Sequence, residues 1–349
     1  MTAVTNSSPP LPLPESLGKP IMPPREVCLA VARMGLVKPG DFVQSYALVG
    51  GMSSEIWLFD IGGRRFCAKR ALSTLRVVAD DWQAPVSRIA VEARWLRVIN
   101  ERCPGYAPAF LGAHRDAALL AMEWLPPQVY HSWRDRLMRY HRRFHLDIAT
   151  QVGERLARLH AVTAGDERLA QMFGATEMFE SIRVEPYFRA TARKRPARAE
   201  VLNRIVETTL STRKAVIHGD VLPKNILIGP DGPVFLDAEW AWYGDPAFDL
   251  AFCLKDLLLK SISRPDRMPK MLANHDAVAA AYLRGVTWEP ADELERRAAH
   301  LVPALLLARG DGNPTEIADK RIEICRALLK SPVDRLNEVR AVWQVAFVG

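Results

Sequence analysis

Two aspartates and an asparagine stand in the stretch 215–250, AVIHGDVLPKNILIGPDGPVFLDAEWAWYGDPAFDL, at spacings that suit metal-assisted phosphoryl transfer. Asp220 opens the set and Asn225 follows on the same loop. Asp237 lies beyond a Gly229-Pro230-Asp231-Gly232 turn, which is flanked by the apolar runs Ile226-Leu227-Ile228 and Val234-Phe235-Leu236. Apolar runs around such a turn predict a hairpin. Folded about Asp231, the hairpin puts Asn225 and Asp237 opposite one another, roughly 5 Å apart across the strands. Mg²⁺ takes oxygen ligands in octahedral geometry, one or two of them from protein, so a carboxylate and an amide oxygen suit it. Asp220 is then placed to accept the proton of an incoming hydroxyl. Any one of these residues alone is more often a turn former, because Asp and Asn side chains bond their own backbone. The joint pattern is what points to chemistry. His218 reads as packing under the loop, since Asp220 already supplies a base. Glu239 either extends the metal shell or faces solvent.

These residues resemble the aminoglycoside phosphotransferases and the related choline-kinase-like small-molecule kinases, and the resemblance covers most of the chain. It implies an α+β, two-lobed protein-kinase-like fold with a small antiparallel-sheet N-lobe and a larger, mainly helical C-lobe. It implies that Asp220 is the catalytic base, that Asn225 and Asp237 hold Mg²⁺, and that Asp249 in GDPAFDL braces the catalytic loop by accepting backbone hydrogen bonds. The chain departs from protein kinases where Gly219 replaces an arginine and where Asp237-Ala238-Glu239 replaces Asp-Phe-Gly. Only residues 240–244 separate that motif from Asp245-Pro246, where protein kinases carry a long activation segment. A protein acceptor is not expected. Within the family, Leu222 and Lys224 are unusual, but neither removes a group the chemistry needs.

The elements that must position these groups are legible in outline. After a tail at residues 1–24, a helix over 25–34 is expected to lead an N-lobe of residues 25–125, with strands near 46–49, 55–59 and 65–70. Gly50-Gly51-Met52-Ser53-Ser54 joins the first two strands. Its glycines permit close backbone approach, so the N–H groups of Gly50, Gly51, Ser53 and Ser54 can cradle phosphate oxygens; two adjacent glycines before a strand are more often a plain hairpin turn, and it is the position ahead of Lys69 that favours the phosphate reading. In the third strand, alternation sends Cys67 and Lys69 to one face and Phe66 and Ala68 to the other. By resemblance, Lys69 binds the α- and β-phosphates of ATP. Glu92, in a helical stripe over 85–101, is its candidate carboxylate, with a surface pair to Arg88 as the alternative. A strand over 118–125 runs into Pro126-Pro127, which form the hinge. The resemblance places adenine on backbone groups of Glu123, Trp124 and Leu125, with Met122 at the back of the pocket. The C-lobe spans 126–349 and includes an amphipathic helix ending at His160, which reads as a packing histidine. The late polar segment ARGDGNPTEI, residues 308–317, reads as a substrate-side turn or a surface loop.

A chain of 349 residues exceeds the usual single-core limit of roughly 250–300, in keeping with two lobes. Five scattered cysteines without paired metal spacing suit free thiols in a reducing compartment, so a cytoplasmic protein without zinc or disulfides is expected. The N-terminus, rich in proline, lacks the basic start and apolar core of a signal peptide, and no apolar run is long enough to span a bilayer. Net charge is +7, with basic clusters at 134–143 and 189–204. Without a nucleic-acid-binding module these read as solvated helical faces, and nucleic acid is not expected as a partner. The cofactors implied are ATP and Mg²⁺, the partner a small-molecule hydroxyl acceptor. A nucleotide-binding regulator without turnover is the alternative, and a complete Lys69, Asp220, Asn225 and Asp237 set speaks against it.

Overall fold

The computed structural model describes residues 11–48, 54–72, 85–139, 146–308 and 316–348. Gly50, Gly51 and Ser53 of the expected phosphate loop lie outside the described residues, as do residues 309–315 of the late polar segment. The chain forms two compact units, Met1–Arg97 with Pro108–Val129, and Val98–Ala107 with Tyr130–Gly349. The division therefore falls four residues later than the expected break after residue 125, and a short segment crosses to the larger unit. Its own bonds explain this: Arg102 pairs with Asp166, and the Tyr106 carbonyl accepts from Phe235 N at 2.8 Å.

The smaller unit is a five-stranded antiparallel sheet in the order β1-β2-β3-β5-β4. Its strands are β1 (Val43–Leu48), β2 (Ser54–Ile61), β3 (Arg64–Ala71), β4 (Phe110–His114) and β5 (Leu119–Glu123), preceded by helix α1 (Arg25–Arg33). Strand alternation divides the sheet cleanly. Trp57, Phe59, Phe66, Ala68, Leu119 and Ala121 share a core with Val27, Ala30 and Val31 of α1. Cys67 and Lys69 turn to the opposite face, where Cys67 pairs across the ladder with Met122 and Lys69 with Leu120. Helix α2 (Arg88–Arg102) begins one turn after Pro85, whose carbonyl accepts from Arg88 N at 3.2 Å. Arg88 is fully buried and donates to the Pro85 and Leu72 carbonyls, so it is no surface residue.

Residues 11–24 were expected to form a free tail, and here the structure corrects the sequence. Ser45 Oγ donates to Ile21 O at 2.7 Å and Ile21 N to Ser45 O at 2.9 Å, while the Leu11 and Pro12 carbonyls accept from Arg65 and Gln128. A proline-rich segment lacks N–H donors, but its carbonyls remain available to side chains of the sheet.

The larger unit is helical apart from a three-stranded sheet, β6 (His131–Ser132), β8 (Ile226–Gly229) and β9 (Gly232–Phe235), and the pair β7 (Ala215–Ile217) with β10 (Trp242–Gly244). Helix α3 (Leu146–Ala161) turns Ala149, Val152, Leu156 and Leu159 inward. Helix α4 (Pro246–Ser263) is buried on nearly every side, from Phe248, Phe252 and Cys253 to Leu257 and Leu258, which makes it the core of this unit. Asp245 caps it, accepting from Ala247 N at 3.0 Å with Pro246 in the first helical position. All five cysteines are free. Among the described residues, no helix is long and apolar enough to cross a membrane.

Candidate active site

The 215–250 stretch folds as strand, loop, 3₁₀ turn and hairpin, in that order. β7 ends at Ile217, the loop 218–222 follows, and Pro223–Asn225 forms a single 3₁₀ turn before β8. The hairpin exists, but its centre is not Asp231. Gly229 faces Gly232 and Ile226 faces Phe235, so the turn is the two residues Pro230 and Asp231. Asn225 is thus bonded to Leu236, whose N–H donates to the Asn225 carbonyl at 2.8 Å, and not paired with Asp237. A centre half a residue earlier shifts the partner by one. Asp237 lies past the end of β9 with φ +69°, a left-handed conformation that a non-glycine residue adopts only under local compulsion.

Asp220 is the best-held carboxylate of the loop. Its Oδ2 accepts from Asn225 Nδ2 at 2.8 Å, and the same Nδ2 reaches the Asp220 carbonyl at 3.0 Å. Its Oδ1 lies 2.6 Å from an Arg183 guanidinium nitrogen. Sequence reasoning missed Arg183. It sits in a ten-residue π-helix, Glu180–Arg189, whose wide turn gives no α-helical period to read.

The loop backbone is fixed from below. Asp249, in the first turn of α4, accepts from His218 N at 2.7 Å and from Gly219 N at 2.9 Å. His160 Nε2 also reaches Asp249 at 3.2 Å, while its Nδ1 bonds Tyr282 at 2.7 Å, which makes His160 a packing residue with both nitrogens engaged. His218 Nε2 donates to the Leu236 carbonyl at 3.0 Å, and Nδ1 accepts from Asp220 N at 3.2 Å. Those roles require a neutral ring. Burial lowers the His218 pKa, outweighing the nearby Asp249, Asp220 and Asp237 carboxylates that raise it. Gly219 has φ +76°, and a Cβ there would meet the Trp240 carbonyl oxygen at 2.6 Å. No arginine fits at this position.

The donors near the hairpin's end are hard oxygens. Asp237 and Glu239 bring carboxylate oxygens within 4.8 Å of each other, and Glu239 is buried rather than solvated. With Asn225 Nδ2 committed to Asp220, Oδ1 is the acceptor that side chain offers. Two carboxylates and an amide oxygen fit Mg²⁺ and disfavour thiophilic metals.

In the smaller unit, Lys69 Nζ lies 2.6 Å from Glu92 Oε2, with both side chains buried. Cys67 shares that face, and burial pushes its thiol up to about 12. Ser54 is buried at the start of β2. Met122 and Glu123 end β5. The Glu123 amide donates to the Ala109 carbonyl at 2.9 Å, so that donor is taken. Trp124 lies under the Arg65 guanidinium at 5.3 Å, and Leu125 follows it, half-buried, ahead of Pro126.

A methylthioribose kinase from Yersinia pseudotuberculosis is 25% identical over 229 residues, 58% of this chain and 55% of that one, so the chain spans little more than half the length of this relative. A methylthioribose kinase from Geobacillus kaustophilus is 24% identical over 289 residues, 74% of this chain and 71% of that one. Among solved structures, an ethanolamine kinase from Plasmodium vivax has the same fold, with a TM-score of 0.52 and 13% identity over 86% of this chain and 87% of that one. That likeness shows the kinase-like architecture, with its small antiparallel sheet followed by a larger helical part. The profile of the phosphotransferase enzyme family matches residues 47–300, which takes in β2, Lys69, the 215–250 loop and Asp249, and the chain belongs to that family.

Proposed function

We propose that the protein is an ATP- and Mg²⁺-dependent phosphotransferase that moves the γ-phosphoryl group of ATP to a hydroxyl of a small, uncharged molecule. The observation that carries this reading is Asp220, a carboxylate held at both oxygens by Arg183 and Asn225, on a loop that leads into the hairpin after which Asp237 and Glu239 bring their carboxylates together. Asp220 accepts the hydroxyl proton as the acceptor oxygen bonds to the γ-phosphorus and the bond to the β-phosphate oxygen breaks, releasing ADP. Lys69, oriented by Glu92, binds phosphate oxygens of the nucleotide from the smaller unit. Asn225, Asp237 and Glu239 would hold Mg²⁺, which would neutralise charge on the phosphoryl group and the departing diphosphate. The free thiols fit a reducing cytoplasm.

Charge at the loop supports an uncharged acceptor. A polycationic acceptor needs spare carboxylates, yet Glu180 pairs with Arg189 at 2.8 Å, Glu185 pairs with Arg193, and Asp220 itself is paired with Arg183. Sugars such as the methylthioribose named for the relatives suit this balance. The test is label transfer from γ-labelled ATP to a panel holding methylthioribose, other neutral sugars and polyols, choline and an aminoglycoside. Magnesium-dependent transfer to a sugar or polyol, with none to the cations, is the expected result. ATP binding without transfer to any neutral hydroxyl would overturn the reading.

A further inference from the structure

Arg183 makes contacts that no general account of the loop requires. It lies in the π-helix with its side chain buried, and its guanidinium bridges two neighbouring parts of the loop. Nε donates to the Gly219 carbonyl at 2.7 Å, and Nη2 lies 2.6 Å from Asp220 Oδ1. The guanidinium carbon lies over two rings, 5.6 Å from the Trp240 centroid and 5.1 Å from the Phe252 centroid. Phe252 belongs to α4, the helix whose Asp249 fixes the same loop from its amide side.

We infer that Arg183 is the positioning residue of this site: it fixes the orientation of the Asp220 carboxylate toward the acceptor hydroxyl. The geometry gives it a division of labour with two other groups. Asp249 sets the height of the backbone at 218–219, and Asn225 anchors Oδ2. Without Arg183 the carboxylate still has one anchor and is free to rotate about Cβ–Cγ. With it, both oxygens are fixed, and each keeps acceptor capacity for the hydroxyl. A planar fork achieves this where an ammonium cannot, because one guanidinium reaches the Gly219 carbonyl and the Asp220 carboxylate at fixed separation. The aromatic rings hold the plane of that fork, which adds cation–π attraction at low cost in side-chain entropy. Gly219 cannot carry such a group itself, since a Cβ there meets the Trp240 carbonyl. The guanidinium therefore arrives from another element.

The inference rests on Asp220 being the base, and the experiment separates the two. Phosphate transfer from γ-labelled ATP is measured with methylthioribose and, separately, with water as acceptor, for Arg183→Ala, Arg183→Lys, Asp220→Asn and the double variant Arg183→Ala/Asp220→Asn. Arg183→Ala should lower kcat about 10- to 100-fold, the range for a misplaced reacting group, with KM for ATP within about twofold of the parent. Added N-ethylguanidinium should restore at least part of the loss in Arg183→Ala and none in Arg183→Lys, whose ammonium fills the space. In the Asp220→Asn background the alanine change should add little, since residues that act as one unit are not additive. A merely structural arginine predicts additive losses, a raised KM and no rescue, and that outcome would overturn the inference. Parent-like rates in Arg183→Ala, alongside a crippled Asp220→Asn, would overturn it while leaving the base in place. Parent-like rates in Asp220→Asn would instead remove the base reading on which it rests.

Discussion

The two units hold charge in different ways. In the smaller unit, Lys69 and Glu92 are 23 residues apart and pair between two regular elements, β3 and α2. In the larger unit, Asp220 sits on an irregular loop, and its donors come from a π-helix 36 residues before Gly219 and from a 3₁₀ turn five residues after Asp220 itself. The first arrangement depends on strand alternation and helix phase. The second is shared among Arg183, Asn225, Asp249 and His218, so its backbone survives the loss of one partner.

The largest expected effect tests the shared arrangement at its centre. Asp220→Asn keeps the shape and the bond from Asn225 but cannot take a proton, so kcat should fall by roughly 10²- to 10⁴-fold while ATP affinity changes little. Single-turnover transfer with the acceptor found in the panel measures it. Near-parent rates would mean that the loop positions a group other than the base.

The paired arrangement should fail as stability. Glu92→Ala removes a buried carboxylate bonded to the Lys69 ammonium and should cost about 1.5–3 kcal/mol in urea unfolding, whereas Lys69→Met/Glu92→Leu should recover most of that by replacing both charges with apolar groups. A Glu92→Ala protein as stable as the parent would show that this pair contributes nothing to folding.

Gly219→Ala probes how tightly the loop is seated. The backbone at φ +76° and the 2.6 Å approach to the Trp240 carbonyl both oppose a side chain, so a loss of about 1–3 kcal/mol is expected from the backbone strain alone. Thermal unfolding with and without Mg-ATP would show it. A neutral substitution would mean that the loop has slack and that four partners are more than it needs.

This contrast also sets what could be read beforehand. The faces of β3 follow from a period of two that is visible in the residues, while the role of Lys69 and its pairing with Glu92 are what the family resemblance implies. Asp220, Asn225 and Asp237 are visible as a motif, because their spacing within one stretch carries the signal, and the bracing role of Asp249 is what the family resemblance implies. The partner of Asn225 was displaced by one position, since Pro230-Asp231 is a two-residue turn and the residues do not show which glycine closes it. β4 was missed because Gly112 and the register shift beside it break its alternation. Arg183 was beyond reach for a different reason. Its contact depends on a π-helical turn and on the packing of Phe252 and Trp240, and neither leaves a local pattern.

The smallest effect expected concerns pH and separates His218 from the carboxylates around it. Burial keeps its folded-state pKa below the ordinary value near 6.5, so in the folded protein the ring stays neutral while the unfolded chain takes up a proton as pH falls through about 6.5. The unfolded state then binds more protons, and stability drops on the acid side; above about 6.5 both states are neutral and His218 contributes no pH dependence. His218→Gln keeps a donor for the Leu236 carbonyl and removes the titration. Urea unfolding at pH 7.5, 6.5 and 5.5 reads the difference, in a range above that where most carboxylates titrate. The parent should lose stability between 6.5 and 5.5 more steeply than the Gln variant, even though the variant starts about 1 kcal/mol lower for the bond lost from Asp220 N to Nδ1. Parallel slopes would show that the folded ring takes up its proton over the same pH range as the unfolded chain, and since a protonated Nδ1 could not accept from the Asp220 amide, the hydrogen bonding under the loop would have to be redrawn.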